Sequence, residues 1–166
     1  MVKDRSFEKA LNFSLRLLNF RQRSEKELRD KLKLKKFSQG ITDQLLLYLK
    51  GVRLIDDVSF AQAWVNTRMV LKPSGPLKLK YELIGKGINP KIIEEVLDNL
   101  KNEYNLKKVA LGLARKKISL SKLRDKEKLR RRLYDYLRRR GFSSEVVFSV
   151  MHEVFKNFYA QDEEDN

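Results

Sequence analysis

Seven apolar positions, counting the reference residues Phe37, Ile88 and Phe142 themselves, recur at fixed offsets in three copies. Nine and five residues before them lie Leu28 and Leu32, Leu79 and Leu83, Leu133 and Leu137. Four, eight, nine and twelve residues after them lie Ile41, Leu45, Leu46 and Leu49; Ile92, Val96, Leu97 and Leu100; Val146, Val150, Met151 and Val154. These offsets are helical and not alternating. The register runs across two helices and the turn between them, so the chain carries three copies of one supersecondary unit. The reference residues are 51 and 54 positions apart, which leaves room for one more helix per copy.

Local signals place those helices. Ser24 and Glu27 have the spacing of a capping box. Gly75 and Pro76 suit an N-cap and first helical position, and Gly141 suits the residue after a helix. Residues 7–20 precede the first pair. Asp57 can cap a helix with the stripe Phe60, Trp64, Thr67 and Leu71. Residues 106–117 precede the third pair, with Val109, Ala110 and Leu113 inward. The expected fold is all-α: three tandem three-helix repeats in an elongated, curved array. The boundaries are 1–55, 56–105 and 106–160, followed by an acidic tail at 161–166. A unit of about 50 residues buries too little apolar surface to be very stable alone, so neighbouring copies should share interfaces.

Charge narrows the function. The chain of 166 residues has a net charge of +15, unevenly spread. Residues 1–55 carry 14 basic and 6 acidic groups, residues 56–105 carry 7 of each, and residues 106–166 carry 16 and 9. The densest block, 115–140, holds 13 basic and 3 acidic residues. Such a block in a folded region can be a solvated face or a nucleic-acid footprint. With no cysteine, disulfides, cysteine-ligated metals and cysteine nucleophiles are excluded. No apolar run approaches a membrane span, and the N-terminus is no secretory signal, so a cytoplasmic location is expected. Gly85-Lys86 is followed by Gly87 and not Ser or Thr, so it is no phosphate loop. His152 stands alone. No cofactor and no enzymatic activity are expected.

Three stretches then carry a resemblance. Arg21-Gln22-Arg23-Ser24-Glu25-Lys26-Glu27-Leu28-Arg29-Asp30-Lys31-Leu32 is similar to the R-x-R-S-x-x-E-L-x-x-K-L opening of the RecX family of recombination regulators. Leu54-Ile55-Asp56-Asp57-Val58-Ser59-Phe60-Ala61, with Trp64 and Arg68 beyond, resembles L-[LI]-D-D-x-x-F-A followed by an aromatic and an arginine. Gly75-Pro76, Glu82-Leu83 and Lys86-Gly87-Ile88 resemble G-P-x-x-I-x-x-E-L-x-x-K-G-I, with Leu79 in place of Ile. The first copy departs from the pattern, with Lys36 where a glycine is usual, so its turn is expected to differ. The resemblance implies a non-enzymatic regulator. It would lodge in the groove of a RecA filament on DNA and restrain its ATPase, its growth and strand exchange, as a monomer touching single- and double-stranded DNA through its basic terminal copies. A stand-alone basic nucleic-acid-binding module is the alternative.

A helical wheel centred on Leu133 sorts the contact candidates. Leu129 and Leu137 share the core face. Arg131 and Arg138 lie opposite it, and Lys128, Arg132 and Arg139 form a second basic ridge. Arg140, in the last turn, is explained by the helix dipole. Lys78 and Lys80 flank the middle copy's core stripe. Tyr81 and Ile84 point away from it, toward packing between copies or toward the recombinase. Arg68 is a contact residue or a partner of Asp56 or Glu82.

Overall fold

The computed structural model describes residues 5–121 and 125–164, with side chains described to residue 156. Lys122 and Arg124 of the basic block, and the side chains of the acidic tail, lie outside the described residues. Among the described residues there are nine helices and no strand: α1 (Arg5–Phe20), α2 (Glu25–Leu34), α3 (Gln39–Gly51), α4 (Asp57–Leu71), α5 (Pro76–Gly85), α6 (Pro90–Glu103), α7 (Leu106–Ser119), α8 (Lys126–Arg139) and α9 (Ser144–Glu164). No described helix is long and apolar enough to cross a membrane.

The repeat is visible atom by atom at the turn joining the second and third helix of each copy. The amides of Phe37, Ile88 and Phe142 donate to the carbonyls of Leu32, Leu83 and Leu137 at 3.2, 3.1 and 3.4 Å. That is the six-residue bond of a Schellman motif, which satisfies a carbonyl the helix leaves open. The residue before each reference residue is left-handed: Lys36 at φ 61°, Gly87 at 77° and Gly141 at 83°. The expectation of a different first turn is therefore corrected, since Lys36 adopts the glycine conformation. The residue after each reference residue caps the next helix: Ser38 accepts from the Ile41 amide, Asn89 from Lys91 and Ser143 from Val146.

The chain gathers into two compact units. One holds the described residues through Trp64 together with Glu82–Val96, and the other holds Val65–Tyr81 with the described residues from Leu97 onward. The first unit's core is built around Ala10, Leu28, Leu32, Leu45, Leu46 and Leu49. The second unit's core has Ala110, Ala114, Leu133, Leu137, Phe142 and Val150 at its centre. The repeated register is inward almost throughout. Ile41, Ile92 and Val146 are only half-buried, and the positions one residue later, Thr42, Ile93 and Val147, are buried instead. Helix α4 corrects its expected stripe. Ala61, Val65 and Met69 are buried with Phe60, while Thr67 is exposed and Leu71 is 78% exposed.

Each unit contains one close joint between the start of a second helix and the turn of the following copy. In the second unit, the Gly75 amide donates to the Arg140 carbonyl at 2.8 Å and the Leu77 amide to the Gly141 carbonyl at 3.2 Å. A Cβ on Gly75 would lie 2.3 Å from the Gly141 oxygen, and one on Gly141 would lie 2.3 Å from the Lys78 nitrogen. The Arg140 guanidinium donates to the Pro73 carbonyl at 2.9 Å and lies over the Tyr136 ring. This corrects the helix-dipole reading of Arg140: it ties the joint.

The first unit repeats the joint with side chains. The buried Ser24 hydroxyl donates to the Lys86 carbonyl at 2.7 Å and accepts from the Glu27 amide at 3.2 Å. Asp57 accepts from the Glu25 amide at 2.9 Å, so it serves the start of α2. The cap of α4 is Asp56, which accepts from the Val58 amide and the Ser59 hydroxyl. Glu27 does not reach back toward Ser24 in a capping box. It accepts a bidentate pair from Arg21 at 2.8 and 3.1 Å and pairs with Lys86. Lys86 in turn sits 4.6 Å over the Trp64 ring, and the Trp64 indole donates to Glu82 at 3.0 Å.

Two tests follow from the joints. Lys36→Gly removes left-handed strain and should raise stability by roughly 0.5–1 kcal/mol. Gly141→Ala adds both that strain and a backbone clash, and should cost more than about 2 kcal/mol. Urea midpoints at equivalent positions should thus move in opposite directions. The second test concerns Glu27. Burial alone would raise its carboxyl, but the hydrogen bonds and charges of Arg21 and Lys86 outweigh burial and hold it at about 2, down from 4.5. A depressed carboxyl contributes stability that is complete above its unfolded value and is lost as the pH falls from about 4.5 toward 2. With solvent screening, Glu27→Gln should cost about 1–2 kcal/mol near neutrality, and the difference from the unmodified chain should vanish near the bottom of that window.

Candidate functional site

Residues of the recognised motifs gather at the joint of each unit. Arg21, Ser24, Glu27, Trp64, Glu82 and Lys86 form one bonded cluster in the first unit. Gly75 and Gly141 meet in the second. These motif residues build the joints.

Helix α8 supplies the most basic display. Its core face is as expected, with Leu129, Leu133 and Leu137 buried. Its start is fixed by Asp125, which accepts from the Lys128 amide at 3.0 Å. That cap also takes the Lys128 ammonium at 3.2 Å. Arg138 is exposed, but it donates to the Phe142 carbonyl at 3.1 Å and so closes its own helix end. Arg131, Arg132 and Arg139 are exposed and make no ion pair among the described residues. These three are the guanidinium groups of the expected ridges best placed to take phosphate oxygens, and a guanidinium can do so bidentately.

The other candidates divide. Lys80 is exposed on α5, while Lys78 is half-buried with its backbone against Gly141. Arg68 is half-buried on α4 and already carries an interaction of its own. Tyr81 is 74% exposed and Ile84 is exposed, so packing does not bury either of them. Val70, Leu71 and Leu77, in the same unit as Tyr81, are exposed too. His152 is exposed on α9.

The structure adds a feature the wheel does not single out. Glu127, Arg130, Arg131 and Tyr134 of α8 line a groove of about 260 Å³ with Phe148 and Met151 of α9. The signal was present in the spacing. Positions 127, 130, 131 and 134 form a second helical stripe beside the leucine stripe. In the first unit a larger cleft of about 690 Å³ is lined by Glu25, Lys50, Arg53 and Asp57. Its Glu25 is already paired, with Lys50 of the same cleft at 2.5 Å and with Arg29 at 3.2 Å.

Comparison with known proteins agrees with this geometry. Models of the first, second and third three-helix domains of RecX match residues 10–49, 56–97 and 108–151. The chain is 39% identical to the regulatory protein RecX of Chlorobium phaeobacteroides (strain BS1), covering 94% of this chain and all of that one. It is 36% identical to the regulatory protein RecX of Prosthecochloris aestuarii (strain DSM 271 / SK 413), with the same coverage. A crystal structure of regulatory protein RecX superposes with a TM-score of 0.77 at 26% identity, covering 92% of this chain and 72% of that one. With the three domains in order and relatives matched over their full length, the chain belongs to the RecX family of regulatory proteins.

Proposed function

We propose that this protein is a non-enzymatic regulator of recombination and DNA repair that binds a RecA filament on DNA and restrains its ATPase, its growth and strand exchange. The observation that carries this reading is the unbroken run of RecX domains through the chain. The three copies, at 1–55, 56–105 and 106–160, are taken as the blocks of recognition, in a cytoplasmic monomer. The basic first and third copies face DNA, and the electrically neutral middle copy faces the recombinase. Exposed Val70, Leu71 and Tyr81 support a protein contact in the middle copy, since exposed apolar side chains of that size favour a partner surface. The exposed arginines of α8 support the DNA contact, and they equally favour the narrower reading of a stand-alone nucleic-acid-binding module.

The decisive measurement is the ATPase of the cognate recombinase on single-stranded DNA with this protein added below stoichiometry. A fall in rate together with shorter filaments is expected. An unchanged rate and filament length would leave only the narrower reading. The DNA contact is tested separately by salt. If Arg131, Arg132, Arg139 and one lysine neutralise about four phosphates of a duplex, the log–log slope of affinity against salt should be about −3.6. Replacing the three arginines by alanine should flatten that slope by about 2.7.

A further inference from the structure

The third copy breaks the repeat at one pair of positions. Eight residues before and six after the reference residue, the first copy has Arg29 and Asp43, and the middle copy has Lys80 and Glu94. In the first unit Arg29 and Asp43 form an ion pair across α2 and α3. The third copy has Tyr134 and Phe148 at the same two positions, and their rings lie 5.9 Å apart, tilted by 46°. An exposed charge pair has thus been replaced by an aromatic pair. Core packing accounts for Tyr134, which is half-buried against the second unit's core, but not for Phe148, which is 62% exposed.

The surroundings say what the aromatic pair suits. The groove between α8 and α9 is lined by the apolar Phe148 and Met151 of α9 and, on α8, by Tyr134 together with Arg130 and Arg131. Both arginines are exposed and make no ion pair among the described residues. At about 260 Å³ the groove is shallower than the roughly 300 Å³ at which small-molecule pockets begin, but it can accept one planar ring. A ring face for stacking beside cations for a phosphate is the chemistry of single-stranded nucleic acid, whose bases present their faces as those of a duplex do not.

We propose that this groove seats one unstacked base of a single-stranded nucleic acid, stacked on Phe148, with Arg130 and Arg131 on the adjoining phosphates. The inference rests on the DNA contact proposed for α8 and gives that contact a strand preference. Glu127 also lines the groove and offers an acceptor for an N–H of the base, the thymine N3–H included.

The test uses the full chain and three probes: an oligothymidylate, an abasic oligomer of the same length and a duplex. Phe148→Ala should weaken binding of the oligothymidylate by about tenfold, the loss of one base stack, and leave the abasic and duplex affinities unchanged. Phe148→Tyr should retain the oligothymidylate affinity. Arg131→Ala should weaken all three. Equal losses on all three probes for Phe148→Ala, or no loss on any, would overturn the stacking site while the Arg131 result keeps the DNA contact. An unmodified chain that binds none of the probes at low salt would overturn the DNA contact and the stacking site together. Circular dichroism melts of the Phe148 variants should match the unmodified chain, as expected for an exposed side chain.

Discussion

The close approach of a helix start to the left-handed turn of the following copy is the contact on which the rest is built. At Gly75 and Gly141 the two backbones are near enough to hydrogen-bond directly, with no room for a Cβ on either side. At Ser24 and Lys86 a buried hydroxyl spans the same gap. A copy of this size has a small core, so its second helix gains stability by having its open amides taken by a neighbour. The same contact explains which turns need glycine. Gly87 meets the Lys26 side chain and Gly141 meets the Lys78 backbone. Lys36 is exposed, so there only the left-handed strain opposes a side chain.

This arrangement separates structure from function along the chain. The residues most recognisable in the sequence are consumed in the joints: Arg21 and Lys86 flank Glu27, Trp64 lies under Lys86, and Asp57 is sent to the start of another helix. On the faces away from the joints the copies differ. The pair Arg29 and Asp43 and the pair Tyr134 and Phe148 occupy equivalent places on the same scaffold, yet one is an ion pair in solvent and the other an aromatic pair beside exposed guanidinium groups. A repeat fold conserves its joints because they are geometric, and it can vary such surface pairs at little cost in stability.

How much of this was legible follows from how local each signal is. The helices, the leucine stripes, the cap at Ser24 and the turn at Gly141 all depend on neighbours within a few residues, and they stand where the spacing puts them. Thr42 was missed as an inward position because its hydroxyl hides the repeat shared with Ile93 and Val147. Helix α4 is apolar on more than one face, so its periodicity allows two stripes; Ala61, Val65 and Met69 are buried because they are what its surroundings cover. The ridge on α8 is visible as charge, but charge alone does not show that Arg138 closes its own helix while Arg131 and Arg132 make no ion pair among the described residues.

Read alone, the sequence specifies an all-helical chain of three like copies with a basic third copy, and its motifs resemble one family. The copies and the charge rest on short-range periodicity and composition, which tertiary contacts do not alter. Only the tertiary structure decided the destinations of long side chains and backbone termini. It sent Arg140 to Pro73, Glu27 to Lys86 and Asp57 to Glu25, and it set Phe148 against Tyr134. Those choices are made across separations of 14 to 67 residues, where the partner is fixed by which groups the packed cores leave within hydrogen-bonding or ring-contact reach.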